Sequence, residues 1–207
     1  MNNTIRFSKL LGECRRQMNG AVAGSMRFYG AEYGLNYGVS LPTIRSLAKA
    51  EGRDHSYAKY LYQQQVREIQ LSALHIAQPA EINREELSFW ATGIINSEVA
   101  EEAAFALFQY VDYIKEWLDS PNELLKYTAL LSIAKSKIVD INSITNIIIN
   151  NLDHHSVLIT TALIALLENY YREEQYRSTI ENILKNLPPS KASSYIVEEV
   201  SWRITYP

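Results

Sequence analysis

Apolar residues recur at three- and four-residue spacing along nearly the whole chain: Ile5, Leu10 and Leu11 early, Ile69, Leu71, Leu74 and Ile76 in the middle, then Leu124, Leu125, Leu130, Leu131 and Ile133. At 3.6 residues per turn those positions form one stripe along a helix, whereas a half-buried strand requires strict alternation. The interruptions carry helix-start chemistry. Asn83 opens NREELSFWATGII with Glu86 three residues on, and Ser120-Pro121 opens NELLKYTALLSIAK. About ten to twelve helices joined by short turns are predicted. Residues 141–150, INSITNIIIN, have the isoleucine content of a strand, but no second segment offers itself for pairing, so a helix is predicted there too.

The breaks at 79–83, 119–122, 151–155 and 187–190 are separated by helix pairs, at spacings near those of helical repeats. Short connections force neighbouring helices antiparallel. The second helix of each pair is small and apolar, as in SEVAEEAAFALFQYV, ELLKYTALLSIAK and VLITTALIALLENYY, which suits close packing. The predicted fold is all-α, a HEAT-like or ARM-type superhelical solenoid of paired antiparallel helices spanning 1–207 as a single domain. An irregular helical bundle is the competing architecture.

Composition narrows this picture. No apolar run approaches the roughly 20 residues of a membrane-spanning helix, and the first segment, MNNTIRFSKLLGECRRQMNG, mixes charges through its apolar positions as a secretory signal does not. A cytoplasmic location without membrane partners is expected. Cys14 is the only cysteine, which excludes an internal disulfide and a multi-cysteine zinc site, and a buried thiol is expected there. The formal net charge is −3, yet residues 1–53 hold 8 Lys or Arg against 3 Asp or Glu. A basic N-terminal quarter is therefore followed by an acidic remainder. Such a quarter is either a solvated face or a phosphate-contacting one.

The most distinctive segment is YGVSLPTIRSLAK, residues 37–49. Gly38 permits a tight approach, Ser40 can cap a helix, and Pro42 sits in the first turn, where its missing N–H costs nothing. Arg45 and Lys49 then lie one turn apart on one face, placed to grip successive phosphates or to face water. Together with VREIQLSALHIA at 66–77, where Glu68, Gln70, Ala73 and Leu74 are in register, this segment resembles the paired signatures of the AlkD-type DNA alkylation-repair family. The resemblance is strong over residues 33–77 and mainly helical pattern beyond residue 80. It implies a HEAT-like repeat protein that excises N3- or N7-alkylated purines from duplex DNA, with aromatic rings and a carboxylate on a concave basic surface.

Carried over position by position, the resemblance implies an altered site. The family's tryptophan-rich turn falls on Asn96–Val99, and its catalytic aspartate on Glu102, or one residue earlier on Glu101. Its DNA-gripping arginine falls on Tyr127, beside the cation Lys126, and its second tryptophan on Ala165. Loss of a cationic alkylpurine builds positive charge on the sugar, which a carboxylate stabilises while ring faces hold the base. Tyr127, Phe105, Phe108 and Tyr110 are the rings available as replacements, although their helical spacing suits core positions equally.

The remaining polar groups point less clearly. Asp153, His154 and His155 form a turn with metal-binding composition, but adjacent side chains on a turn rarely converge, so neither metal nor cofactor is expected. His55 and His75 stand isolated. Tyrosines cluster around the signature as Tyr29, Tyr33, Tyr37, Tyr57, Tyr60 and Tyr62, suited to packing between helices or to stacking on bases. No nucleophile elbow or phosphate loop supports another enzyme class. Two readings follow: a DNA-binding protein of the alkylation-repair type with weak or lost glycosylase activity and duplex DNA as partner, or a non-catalytic HEAT-repeat scaffold for a protein or peptide.

Overall fold

Helix starts are set locally by side chains that accept the free N–H groups of the first turn. Asn2, Asn19, Ser40, Asp54, Asn96, Asn122, Asp140, Ser156 and Ser190 each do so. The computed structural model describes residues 2–31, 33–152 and 156–206. Among them lie α1 (Asn3–Arg16), α2 (Gly20–Phe28), α3 (Leu41–Glu51), α4 (His55–Tyr62), α5 (Arg67–Ile76), α6 (Leu87–Ala91) and α7 (Ser97–Ala106). After two 3-10 helices (Phe108–Tyr110 and Asp112–Asp119) come α8 (Glu123–Ser136), α9 (Ile141–Asn151), α10 (Val157–Tyr171), α11 (Arg177–Asn186) and α12 (Lys191–Thr205). The described residues contain no strand, only an isolated parallel bridge between Leu35 and Val66. The fold is all-α, and the isoleucine-rich segment is helix α9.

The chain divides into two compact units, Met1–Leu107 and Phe108–Pro207. In the first, α5 is the centre: every residue from Arg67 to Ile76 except His75 is buried, and α1, α3, α4 and α7 pack around it. In the second, α8 and α10 pack on each other, with the Asp112–Asp119 helix against α8 and α12 against α10. The buried face of α8 carries Thr128 and Ser132, whose hydroxyls donate to the carbonyls of Leu124 and Thr128 at 2.7 Å. Each is thus satisfied within its own helix, and their small size suits close helix approach.

Three sequence expectations are corrected. The stretch after Asn83 forms a turn and the short α6, although Asn83 Oδ1 does accept the Glu86 N–H at 3.0 Å. The N-cap of α8 is Asn122, two residues beyond Ser120. The segment read as one helix from Ser97 to Val111 stops at Ala106, because Leu107 leaves helical geometry to seat itself and Phe108 in the core. Cys14 is fully buried as expected, and burial pushes its thiol up to about 12.

Candidate nucleic-acid interface

The chemistry of the first unit begins at the loop before α3. Gly38 has φ +71, and a Cβ there would lie 2.1 Å from the Asn19 carbonyl oxygen, so the segment Tyr37–Val39 closes onto α2 only with glycine. The buried carboxylate of Glu68, on α5, accepts the N–H groups of Tyr37 (3.1 Å) and Val39 (3.2 Å) and an Nη1–H from Arg67 (3.1 Å). Arg67 also donates to the Val39 carbonyl (2.9 Å) and to Glu98 (2.7 Å). Glu98 in turn accepts the Tyr33 hydroxyl. Fully paired in this way, the buried charges are tolerated, and they fix the loop that launches α3. The two signature segments of the sequence are therefore two halves of one structural clamp.

Ser40 and Pro42 start α3 as expected, Ser40 Oγ accepting the Thr43 N–H at 3.3 Å. One turn further, Arg45 reaches Glu102 on α7 in a two-pronged pair, Nε to Oε1 and Nη2 to Oε2, both at 2.8 Å. His75, the one residue of α5 left partly exposed, bonds to Glu102 Oε1 through Nε2. Glu102 is only 3% exposed. Burial alone pushes its carboxyl up, but the hydrogen bonds from Arg45 and His75 outweigh that and hold it at about 2. The Arg45 guanidinium also lies 4.7 Å from the centroid of the Phe105 ring, a cation–π contact.

These groups open onto a cleft of about 360 Å³ bordered by Arg45, Lys49, Arg53, His75 and Phe105. Three permanent cations and, among the described residues, no carboxylate line it, and Glu102 is paired with Arg45. Arg45, Lys49 and Arg53 recur every fourth residue along α3 and just past its end; Arg53 also donates to the Ala77 carbonyl. Such an arrangement attracts phosphates while offering a ring face.

The structure brings Arg45, Lys49 and Glu102 together. Glu101 is exposed one position earlier on α7. In the second unit Tyr127 is buried, and Lys126 lines a separate hollow of about 280 Å³ with Lys115, Asp119 and Asn150. Of the candidate rings, Phe108 is core whereas Phe105 and Tyr110 are exposed. Among the clustered tyrosines, Tyr37, Tyr57 and Tyr62 are buried and Tyr29 is exposed. Sequence reasoning missed Arg53, His75 and the role of Phe105. Their faint signals are the repeat of cations at 45, 49 and 53 and the i, i+3 spacing of Glu102 and Phe105; nothing in the spacing singles out His75. His55, left without a role, pairs with Glu86 at 2.8 Å. Asp153, His154 and His155 lie outside the described residues. Among the described residues no group of three or more His, Cys, Asp or Glu is placed to hold a metal, and no helix is long and apolar enough to cross a membrane.

A clamped loop, a helix bearing regularly spaced cations and a carboxylate paired with one of them define a helical protein with a cation-lined cleft. The chain belongs to the DNA alkylation repair enzyme family, whose model matches residues 13–189. No curated protein sequence matches it. One solved structure is described as representing a new family of proteins related to the HEAT-like repeat DNA glycosylases, with affinity for branched DNA structures. It is similar at a TM-score of 0.76 and 15% identity, covering 95% of this chain and 94% of that one. That likeness shows the fold, which is of the HEAT-like helical-repeat class.

Proposed function

We propose that this protein binds DNA through the cationic cleft of its first unit and that its excision of N3- or N7-alkylpurines is weak or lost. The observation that carries the reading is the row Arg45, Lys49 and Arg53 beside an exposed ring, in a member of a DNA alkylation repair family. Phosphates are held by the cations, and Glu102 positions Arg45 rather than facing a sugar. Lys126 adds a phosphate contact on the second unit, while Tyr127 supports α8 from within. The affinity of the similar solved protein for branched DNA makes a four-way junction a fitting ligand to compare with plain duplex.

The test is fluorescence anisotropy with both DNAs between about 50 and 200 mM salt, where contacts that release counterions weaken steeply. Arg45→Ala with Lys49→Ala is expected to reduce affinity and flatten the logarithmic salt slope by roughly 2, one unit per lost phosphate contact. Because Arg45→Ala also unpairs Glu102, Lys49→Ala with Arg53→Ala is the companion that leaves that pair intact. Unchanged affinity and slope in both double variants would place DNA elsewhere on the protein. A parent without DNA affinity that instead retains a peptide partner would turn the reading into that of a scaffold.

A further inference from the structure

A second hollow, of about 530 Å³, lies wholly within the second unit where the ends of α10 and α12 meet the start of α11. Its walls are aromatic and cationic: Tyr171, Arg172, Arg177, Trp202, Arg203 and Tyr206. Trp202 and Tyr206 stand four residues apart on one face of the chain, 61% and 69% exposed, with ring centroids 6.4 Å apart. The other two tryptophans, Trp90 and Trp117, are buried among neighbouring rings. An indole left in water at such a site forgoes the burial that normally accompanies so large a ring.

The charge of the hollow selects its occupant. One lining carboxylate, Glu168, is shared between Arg172 at 2.6 Å and Arg203 at 3.5 Å, and Glu199 also receives Arg203 at 3.4 Å. Arg177 stands 5.8 Å from the centre of the Tyr171 ring, whose hydroxyl donates to Glu181 at 3.3 Å. Arg203 is taken up by Glu168 and Glu199, whereas the Arg172 side chain is 68% exposed and Arg177 is exposed as well, so these two guanidinium groups can meet a phosphate beside flat ring faces. Stacking on aromatic side chains next to cations that hold the backbone is how proteins take single-stranded nucleic acid without reading its sequence. The volume falls within the range of small-ligand sites, roughly 300–1,000 Å³, and so admits a single nucleotide.

We propose that this hollow is a stacking subsite for an unpaired nucleotide of single-stranded DNA, its base against Trp202 and Tyr206 and its phosphate against Arg172 and Arg177. The proposal rests on the DNA-binding reading and extends it to strands displaced from a duplex, using a part of the chain separate from the α3 cleft.

The experiment titrates the full chain with an oligothymidylate of about ten nucleotides, which bears no alkylated base and forms no duplex. Saturable quenching of tryptophan fluorescence is expected, since only Trp202 is open to a stacking base. By anisotropy of a labelled oligomer, Trp202→Ala and, separately, Arg172→Ala with Arg177→Ala should each weaken binding roughly tenfold. Circular dichroism confirms that these exposed substitutions leave the fold intact. Arg45→Ala with Lys49→Ala should weaken duplex binding while the quenching persists. If duplex binding is present but the oligomer neither quenches nor binds, the subsite is wrong and the α3 reading stands. If polyglutamate quenches as strongly as the oligomer, the hollow recognises negative charge alone and the nucleotide assignment fails.

Discussion

Glu102 shows how a single residue changes meaning between sequence and structure. The family resemblance sets Glu102, or Glu101 one residue earlier, against a catalytic aspartate; in the folded chain Glu102 is the buried anchor of Arg45 and His75. Because the folded-state pKa is depressed to about 2, its ionised form stabilises the protein above the ordinary carboxylate range, and that contribution is lost as pH falls toward the folded value. Between about pH 5 and 2.5 the urea midpoint of the parent should therefore fall more steeply than that of Glu102→Gln, which has no carboxylate to protonate. Equal slopes would mean that Glu102 is not held in this pair in solution. At neutral pH the variant itself should be less stable by about 2 kcal/mol, the scale of charge-assisted hydrogen bonds, because the Arg45 side chain it leaves behind is 39% exposed and can be solvated.

At the level of elements, the position of α3 depends on a carboxylate that lies on another helix. Glu68→Gln removes a negative charge, so long-range electrostatics alone would strengthen DNA binding slightly. Here the opposite is expected: the amide keeps one oxygen for the Tyr37 and Val39 N–H groups but turns an NH2 toward donors that had faced the second oxygen and loses the charge paired with Arg67, which loosens the loop, disperses Arg45, Lys49 and Arg53, and weakens binding several-fold. Stability should fall by about 3 kcal/mol, read by urea unfolding, with affinity measured where circular dichroism shows the variant still folded. Tighter binding by this variant would show that the clamp has no part in presenting the cations. The same clamp explains what was legible. The segments at 37–49 and 66–77 stood out because tight backbone geometry and a buried charge leave few substitutes, and the cap residues exposed most helix starts. The break after Ala106 was hidden because no glycine or proline marks it; it follows from where Leu107 and Phe108 find core space. His75 and Phe105 could not be joined to Arg45 from spacing, since their adjacency is created by the packing of α3, α5 and α7.

For the whole molecule, the positions that the family resemblance assigns to excision fall in both units, and on the proposed reading each is altered. In the first, the turn at Asn96–Val99 lacks tryptophan, and of the two carboxylates that the resemblance sets against the catalytic one, Glu102 is 3% exposed and paired with Arg45 while Glu101 is exposed. In the second, the resemblance sets the family's arginine against Tyr127, which is buried, and its second tryptophan against Ala165. Losing one partner of the transition state commonly costs on the order of 3 kcal/mol, about a hundredfold in rate, and several losses together leave little above the spontaneous reaction even though they do not add simply. Cationic alkylpurines also leave DNA unaided, so a residual activity would have to be fast to be seen. Release of methylated purine from duplex DNA by the purified parent is therefore expected to match that of Glu102→Gln and of a sample without protein. Brisk release by the parent that disappears in Glu102→Gln would make Glu102 a catalytic carboxylate after all and would require Arg45 to leave it when DNA binds. Equal release in all three samples, together with salt-sensitive DNA affinity, is the outcome that fits a protein which keeps its family's grip on DNA but not its chemistry.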